Sequence, residues 1–411
     1  MFYGWWIVLA GAGIQMLQSA LLGQAYGAYV VLLREQFGWS KTLLSGASAL
    51  REAEHGLTGP FQGSLLDRFG PRNVGRVGVV LLAVGFMLFS QVESPLTFYA
   101  AFLVMSVGGS MMGYLTITFA VVHWFERRRS TAISLTSAGF ALGGMAVPLV
   151  ALALDTFGWR TTAFLSGVLV LAVGLPLTQI LRHHPAELGL ALDGGRATVP
   201  EPDEGSAPSR RADFTLSEAL HHPSFWWISL GHASAMFVVS ALGVHLISHL
   251  KEGLGYSLGQ ASAVVFLMTL LQLVGTVSGG LMGDKMSKQR LIVVCMIMHT
   301  TSLIVLAYAT NVGMVVGFAV IHGLAWGWRG PQMAAIRADY FGRSAFGKIL
   351  GVSNTGILLG TISGPLVAGL AYDRTGDYRI GFYVLAIIAA LGTIFFSFAR
   401  RPAALAERVV R

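Results

Sequence analysis

Long apolar runs separated by short polar stretches dominate the chain. Twelve of them, at 5–32, 43–66, 75–92, 96–123, 131–157, 161–181, 223–250, 258–282, 291–309, 312–337, 348–373 and 380–398, come close to or exceed the roughly 20 residues that a helix needs to cross a bilayer core. One long polar stretch interrupts the series at 182–222, where Pro200, Glu201, Pro202, Asp203, Glu204, Gly205, Ser206 and Pro208 read as a tether. The pattern predicts an all-α membrane protein of twelve transmembrane helices in two bundles. The first six-helix bundle occupies 1–182, a cytoplasmic linker 183–221, the second bundle 222–400 and a cytoplasmic tail 401–411.

Composition agrees with that class. With 54% hydrophobic and 12% charged residues and a mean hydropathy of +0.65, the chain has too little charged surface for a water-soluble globule. The net charge of +8 would suggest a nucleic-acid partner in a soluble protein. Here it reflects the placement of Lys and Arg on one side of the membrane. Only Arg34, Lys41, Arg160, Lys251, Arg374 and Arg379 fall in the outer loops, whereas the inner loops and tail hold nearly all the rest, Arg337 being assigned to the loop after span ten. That bias orients both termini to the cytoplasm. The run from Trp5 is long enough to span, so no cleaved signal peptide is expected. A lone cysteine, Cys295, excludes an internal disulfide and any cysteine-built metal cluster.

The two bundles repeat. Leu33-Arg34-Glu35-Gln36-Phe37-Gly38-Trp39-Ser40 matches Leu250-Lys251-Glu252-Gly253-Leu254-Gly255-Tyr256-Ser257 at an offset of 217, and the same offset carries Gly63, Asp67, Gly139, Gly143 and Pro148 onto Gly280, Asp284, Gly356, Gly360 and Pro365. A parallel six-span repeat is the signature of a two-bundle transporter whose substrate binds between the halves near mid-membrane.

The loop Gly63-Ser64-Leu65-Leu66-Asp67-Arg68-Phe69-Gly70-Pro71-Arg72, with a weaker copy at Gly280-Leu281-Met282-Gly283-Asp284-Lys285, resembles the signature of the major facilitator superfamily. Tyr3-Gly4-Trp5-Trp6, Phe37-Gly38-Trp39-Ser40, and Gly364-Pro365-Leu366 with Asp373 resemble its bacterial monocarboxylate transporter and oxalate–formate antiporter branch. The resemblance implies a multi-pass protein of a bacterial inner membrane that carries small carboxylates. It also departs from that branch, whose span eight commonly carries an arginine; span eight here has none. Gly63, Asp67, Arg68, Gly70, Arg72, Asp284 and Lys285 are candidates for a conformational latch of charge pairs at helix ends. A basic loop that merely sets topology is the alternative.

Charges inside a membrane cost on the order of 3 kcal/mol each and mark candidate sites. Span two carries Arg51, Glu52, Glu54 and His55, and helical spacing puts Arg51, His55, Thr58 and Gln62 on one stripe with Glu54 at its flank. Span ten has His322, Trp326 and Arg329 on one face, followed by Gly330-Pro331, where a broken helix would suit an anion. Arg51 and Arg329 are candidates to grip a carboxylate. Arg51 has the alternative of an ion pair with Glu54 or Glu52, and Arg329 that of a tie to carbonyls exposed by Pro331. Tyr26, His55, Tyr114, Gln272, Trp326 and Asn354 are further candidates for substrate binding, and Glu54 with His55 for proton coupling. His245 and His249 stand four apart with no further ligand on their helix, so no metal is expected.

These readings converge on a secondary transporter of a small organic anion, a monocarboxylate or dicarboxylate, that runs as a proton symporter or an antiporter. Efflux of apolar or cationic compounds is the alternative within transport, and a non-transporting membrane sensor the alternative outside it. Among nucleotide, cofactor and metal motifs none has persuasive spacing, so no cofactor and no enzymatic activity are expected. The expected partners are the substrate anion, protons and lipid, with the protein a monomer that does not bind nucleic acid.

Overall fold

The computed structural model describes residues 2–39, 41–194 and 213–402. Ten continuous stretches among them are helical, long and apolar enough to cross a membrane. Two contain a break that separates a pair of spans. Lys41–Phe89 is 49 residues long, about 74 Å if straight and more than twice a bilayer core. It divides at Gly70, whose φ of 74° and ψ of 164° lie in a region open essentially to glycine alone. Gly158 makes the same break with φ 74° and ψ 161°.

Counting across these joints gives twelve rods: α1 (Gly4–Phe37), α2 (41–69), α3 (71–89), α4 (Pro95–Trp124), α5 (129–157), α6 (159–180), α7 (Pro223–Gly253), α8 (Leu258–Lys285), α9 (Lys288–Ala307), α10 (Val312–Phe341), α11 (Phe346–Thr375) and α12 (Arg379–Phe398). α1 and α7 include π-helical turns at Ser19–Gln24 and His249–Gly253. The chain forms two compact units, Met1–Asp203 and Glu204–Arg411, each with six of these helices. Several starts are capped by local side chains, as where Ser257 and Gln260 close a capping box on α8 and Asn311 Oδ1 accepts the Met314 amide of α10 at 3.1 Å.

The repeat seen in the sequence is also a repeat of contacts. α5 crosses α1 where Gly143 lies on the Met16 carbonyl oxygen, and α11 crosses α7 where Gly360 lies on the Ala233 carbonyl oxygen, both pairs being separated by the 217-residue register. A Cβ at either glycine would collide with that oxygen, so the absent side chain sets the approach of the backbones. Large apolar side chains such as Leu88, Phe164, Ile297 and Ile387 remain exposed on the outside of their bundles, as lipid-facing positions require.

Part of the stretch read as a tether is folded onto its own half. Asp193, itself at φ 56°, accepts the backbone amides of Glu126 and Arg127 at 3.1 and 2.8 Å, in the loop before α5. Asp213 accepts those of Arg343 and Ser344 at 3.0 and 2.8 Å, in the loop before α11. The two clasped loops are again one repeat apart. Residues 195–212 lie outside the described residues, as does the tail from 403 onward.

Gly143→Leu and Gly360→Leu should each destabilise the protein by about 1–3 kcal/mol by forcing a helix crossing apart. Thermal unfolding in detergent should show a lowered midpoint for both. Gly356→Ala, where nothing lies within 4 Å of an added Cβ, should leave it unchanged.

Candidate functional site

In the first unit the polar stripe of α2 converges on Glu54 rather than on Arg51. Glu54 is buried, and its Oε1 accepts from Thr58 Oγ1 at 2.8 Å and Ser110 Oγ at 2.9 Å while Oε2 accepts from Ser106 Oγ at 2.8 Å. His55 Nε2 lies 3.7 Å from Oε2. Hydroxyl donors from α2 and α4 therefore do for this carboxylate what water would do outside the membrane. Gln62, also on the stripe, donates to the Ser110 carbonyl at 2.6 Å and supports the α4 side of the cluster. Arg51 takes the ion-pair alternative, with Nη2 at 3.3 Å from Glu52 Oε1. Tyr26 donates its hydroxyl to the Leu44 carbonyl at 2.6 Å. Tyr114, just past the kink at Gly113, is exposed.

In the second unit the polar interior is basic. Arg329 and Arg337, both on α10, are 1% exposed. Arg337 donates from Nε and Nη2 to Ser353 Oγ of α11 at 3.1 and 2.7 Å and from Nη1 to the Met333 carbonyl; Nη2 is also 3.4 Å from His232 Nδ1 of α7. Ser353 in turn shares a hydrogen bond with Ser229 of α7 at 2.8 Å. About two turns from Arg329 and about four from Arg337, toward the start of α10, His322 Nδ1 lies 3.2 Å from both His299 Nδ1 and Ser302 Oγ of α9. Two Nδ1 atoms in contact must differ in role, one donating and one accepting. Arg329 stands close enough to His232, His299, His322 and Cys295 to act on them electrostatically. The group thus joins four helices of the bundle through arginine, histidine and serine side chains.

Comparison with known proteins gives this arrangement its context. Residues 8–296 and 228–409 match the description of the Major Facilitator Superfamily. The chain belongs to this superfamily. It is 27% identical to mouse monocarboxylate transporter 11 over 417 residues, covering 96% of this chain and 87% of that protein. Among solved structures it resembles the human organic anion transporter MFSD10, with a TM-score of 0.70 at 16% identity over 95% of this chain and 98% of that one. It also resembles the E. coli fucose:proton symporter, with a TM-score of 0.72 at 12% identity over 96% and 98%. The two structures establish shared fold alone. As a superfamily member the protein is a multi-pass membrane transporter and not an enzyme.

The superfamily's loop between α2 and α3 turns on Gly70. Arg72 donates to Gln179 Oε1 of α6 at 2.9 Å and Arg76 reaches the same oxygen, so two cations in the first turns of α3 tie it to the end of α6. Arg68 lies over the Phe69 ring, 5.2 Å from its centroid. Gly63 is buried and Asp67 half-buried. In the second unit Asp284 is half-buried and Lys285 exposed, while the close ion pair, at 2.8 Å, joins Lys288 of α9 to Asp339 of α10.

Two sequence expectations need correction. α10 is not broken at Pro331 but runs unbroken from Val312 to Phe341. Pro331 removes one backbone bond, and Gln332 Nε2 contributes others in the same turn, to the Trp328 carbonyl at 3.3 Å and the Gly279 carbonyl of α8 at 2.8 Å. Arg337 is not a loop residue, because the helix continues past it for another turn. On α2, Glu54 at the flank of the stripe is the residue that gathers the hydroxyl donors. Trp326, Gln272 and Asn354 are all half-buried. Trp326 stacks edge-on toward His322 at 6.5 Å, the Gln272 carbonyl is pressed against Gly327, and Asn354 follows Ser353 on α11. His245 and His249 are taken up by packing: His245 Nε2 contacts the Pro365 carbonyl at 2.9 Å, and His249 sits edge-on to Phe382 at 4.7 Å.

Ser353→Ala removes the acceptor of two Arg337 bonds and should cost about 1.5–3 kcal/mol, the range for bonds to charged groups. Thermal unfolding should show the loss. Ser363→Ala, whose hydroxyl bonds the Leu359 carbonyl of its own helix, should stay within about 0.5 kcal/mol of the parent.

Proposed function

We propose that the protein is a secondary transporter of a small organic anion, a monocarboxylate or dicarboxylate, driven by protons or by exchange and working by alternating access. The observation that carries the proposal is the basic interior of the second unit, where Arg329 and Arg337 lie buried among His232, His299, His322 and Ser353. A guanidinium in such surroundings offers a carboxylate paired, charge-assisted bonds whose strength rises as water is excluded. Arg329 is assigned the substrate and Arg337 the alignment of α10 through Ser353. The names of the relatives support the same class: mouse monocarboxylate transporter 11 and the human organic anion transporter MFSD10 both refer to anions.

Glu54 and His55 are assigned to the proton. What supports the assignment is a buried carboxylate with three hydroxyl donors and an imidazole beside it, inside a span where ionisable groups mark proton paths. The loop around Asp67, Gly70 and Arg72, with its partner at Asp284, is assigned the role of a conformational latch, and the cellular site is a bacterial inner membrane. The carboxylate Glu54 is also the feature that an exporter of cationic compounds would use, which makes that class the counter-hypothesis.

The test is uptake of radiolabelled small carboxylates into liposomes containing the purified protein, with an inward proton gradient. Wild type should accumulate at least one carboxylate. Arg329→Gln should lose uptake by tenfold or more while unfolding at the parent temperature, and Glu54→Gln should keep exchange across equal pH yet lose gradient-driven accumulation. Transport of bulky organic cations with no carboxylate uptake would overturn the anion assignment.

A further inference from the structure

Apart from both clusters, three histidines meet at the cytoplasmic end of the first unit. His123 ends α4, and His183 and His184 follow α6. Each offers one ring nitrogen, and the three nitrogens lie within 4.8 Å of one another. We propose that His123, His183 and His184 form a binding site for a divalent transition-metal ion of the zinc, nickel or cobalt class. Imidazole suits these ions, and three histidines with an open fourth position make a recurrent coordination set.

The surroundings hold the ligands in place. His123 Nδ1 contacts the Phe119 carbonyl at 2.8 Å, the outer-shell bond that fixes the tautomer of a metal-ligating histidine and turns its other nitrogen toward the ion. The next residue, Trp124, donates its indole N–H to the Arg182 carbonyl at 3.0 Å, which locks the segment bearing His183 against the end of α4. Glu187 Oε1 accepts the backbone amides of both His183 and His184 at 3.2 Å and brings a negative charge to the pair. His123 is buried, His183 half-buried and His184 exposed, which gives an ion a path in from solvent.

The site also touches the joint between α2 and α3. His183 packs on Gly70, where an added Cβ would lie 3.4 Å from Nδ1. A bound ion would therefore brace the ends of α4 and α6 against the superfamily loop, and its occupancy would stabilise the first unit independently of the substrate or its charge.

The experiment is titration of tag-free, chelator-treated protein in detergent with Co²⁺, read by its visible absorption and by displacement with Zn²⁺, beside thermal unfolding with and without Zn²⁺. Wild type should bind one ion per chain and gain thermal stability with Zn²⁺. His183→Gln and His184→Gln should each weaken Co²⁺ binding at least tenfold and abolish the Zn²⁺-dependent stabilisation, while His245→Gln should change neither. His184 is exposed, so its variant should fold as the parent does in the absence of metal. Absence of saturable binding by the wild type, or affinity unchanged in both variants, would overturn the site.

Discussion

Hydrocarbon offers no hydrogen bonds, so whatever polar group this chain carries into the membrane must be satisfied by the chain itself. The backbone meets that demand by being helical along nearly all of its described length. Side chains meet it locally and at close range. Glu54 takes three hydroxyl donors from two helices, and Arg337 spends its guanidinium on a serine, a carbonyl and a histidine from three. Each such arrangement fixes the helices that contribute to it, and the polar interior is therefore part of the packing as well as a chemical resource.

The two halves share a framework but not a chemistry. The glycine crossings of α1 with α5 and of α7 with α11 repeat in register, as do the aspartate clasps on the loops before α5 and α11. The charges buried in the two interiors do not repeat. At the 217-residue offset Glu54 corresponds to Leu271, Arg329 to Met112 and Arg337 to Ala120. The first unit has an acidic centre on α2 and the second a basic one on α10, so a duplicated scaffold has been given groups of opposite sign.

Most of the architecture was legible in the sequence because lipid makes apolar length nearly equivalent to a span, and the repeat supplied an independent register. The site was legible only in outline. Arg329 and the α2 stripe stand out in the sequence because a charge inside an apolar run is conspicuous. Arg337 does not stand out, because it lies where the apolar run gives way to Asp339, which looks like the start of a loop; only the packing of Ser353 and His232 around it shows that the interior extends that far. Spacing along α2 puts Glu54 on the flank of the stripe, and its donors Ser106 and Ser110 come from another helix, a contact that spacing along one helix cannot reveal. The same holds for Asp193 and Asp213, which in sequence are two more acids in a polar stretch, and for His123, about sixty residues from its histidine neighbours.

Gly70 and Gly158 each reverse the chain with a single residue in a conformation closed to other side chains. Most loops between helices have several soft torsions and absorb a neighbour's movement as slack. A one-residue joint has two. Rotation of α2 is accordingly geared to α3, and that of α5 to α6, so each pair behaves as one lever rather than two rods on a string. Extra residues inserted at these points would uncouple the lever arms while leaving every helix intact, so length itself is under constraint there, beyond the constraint on residue type.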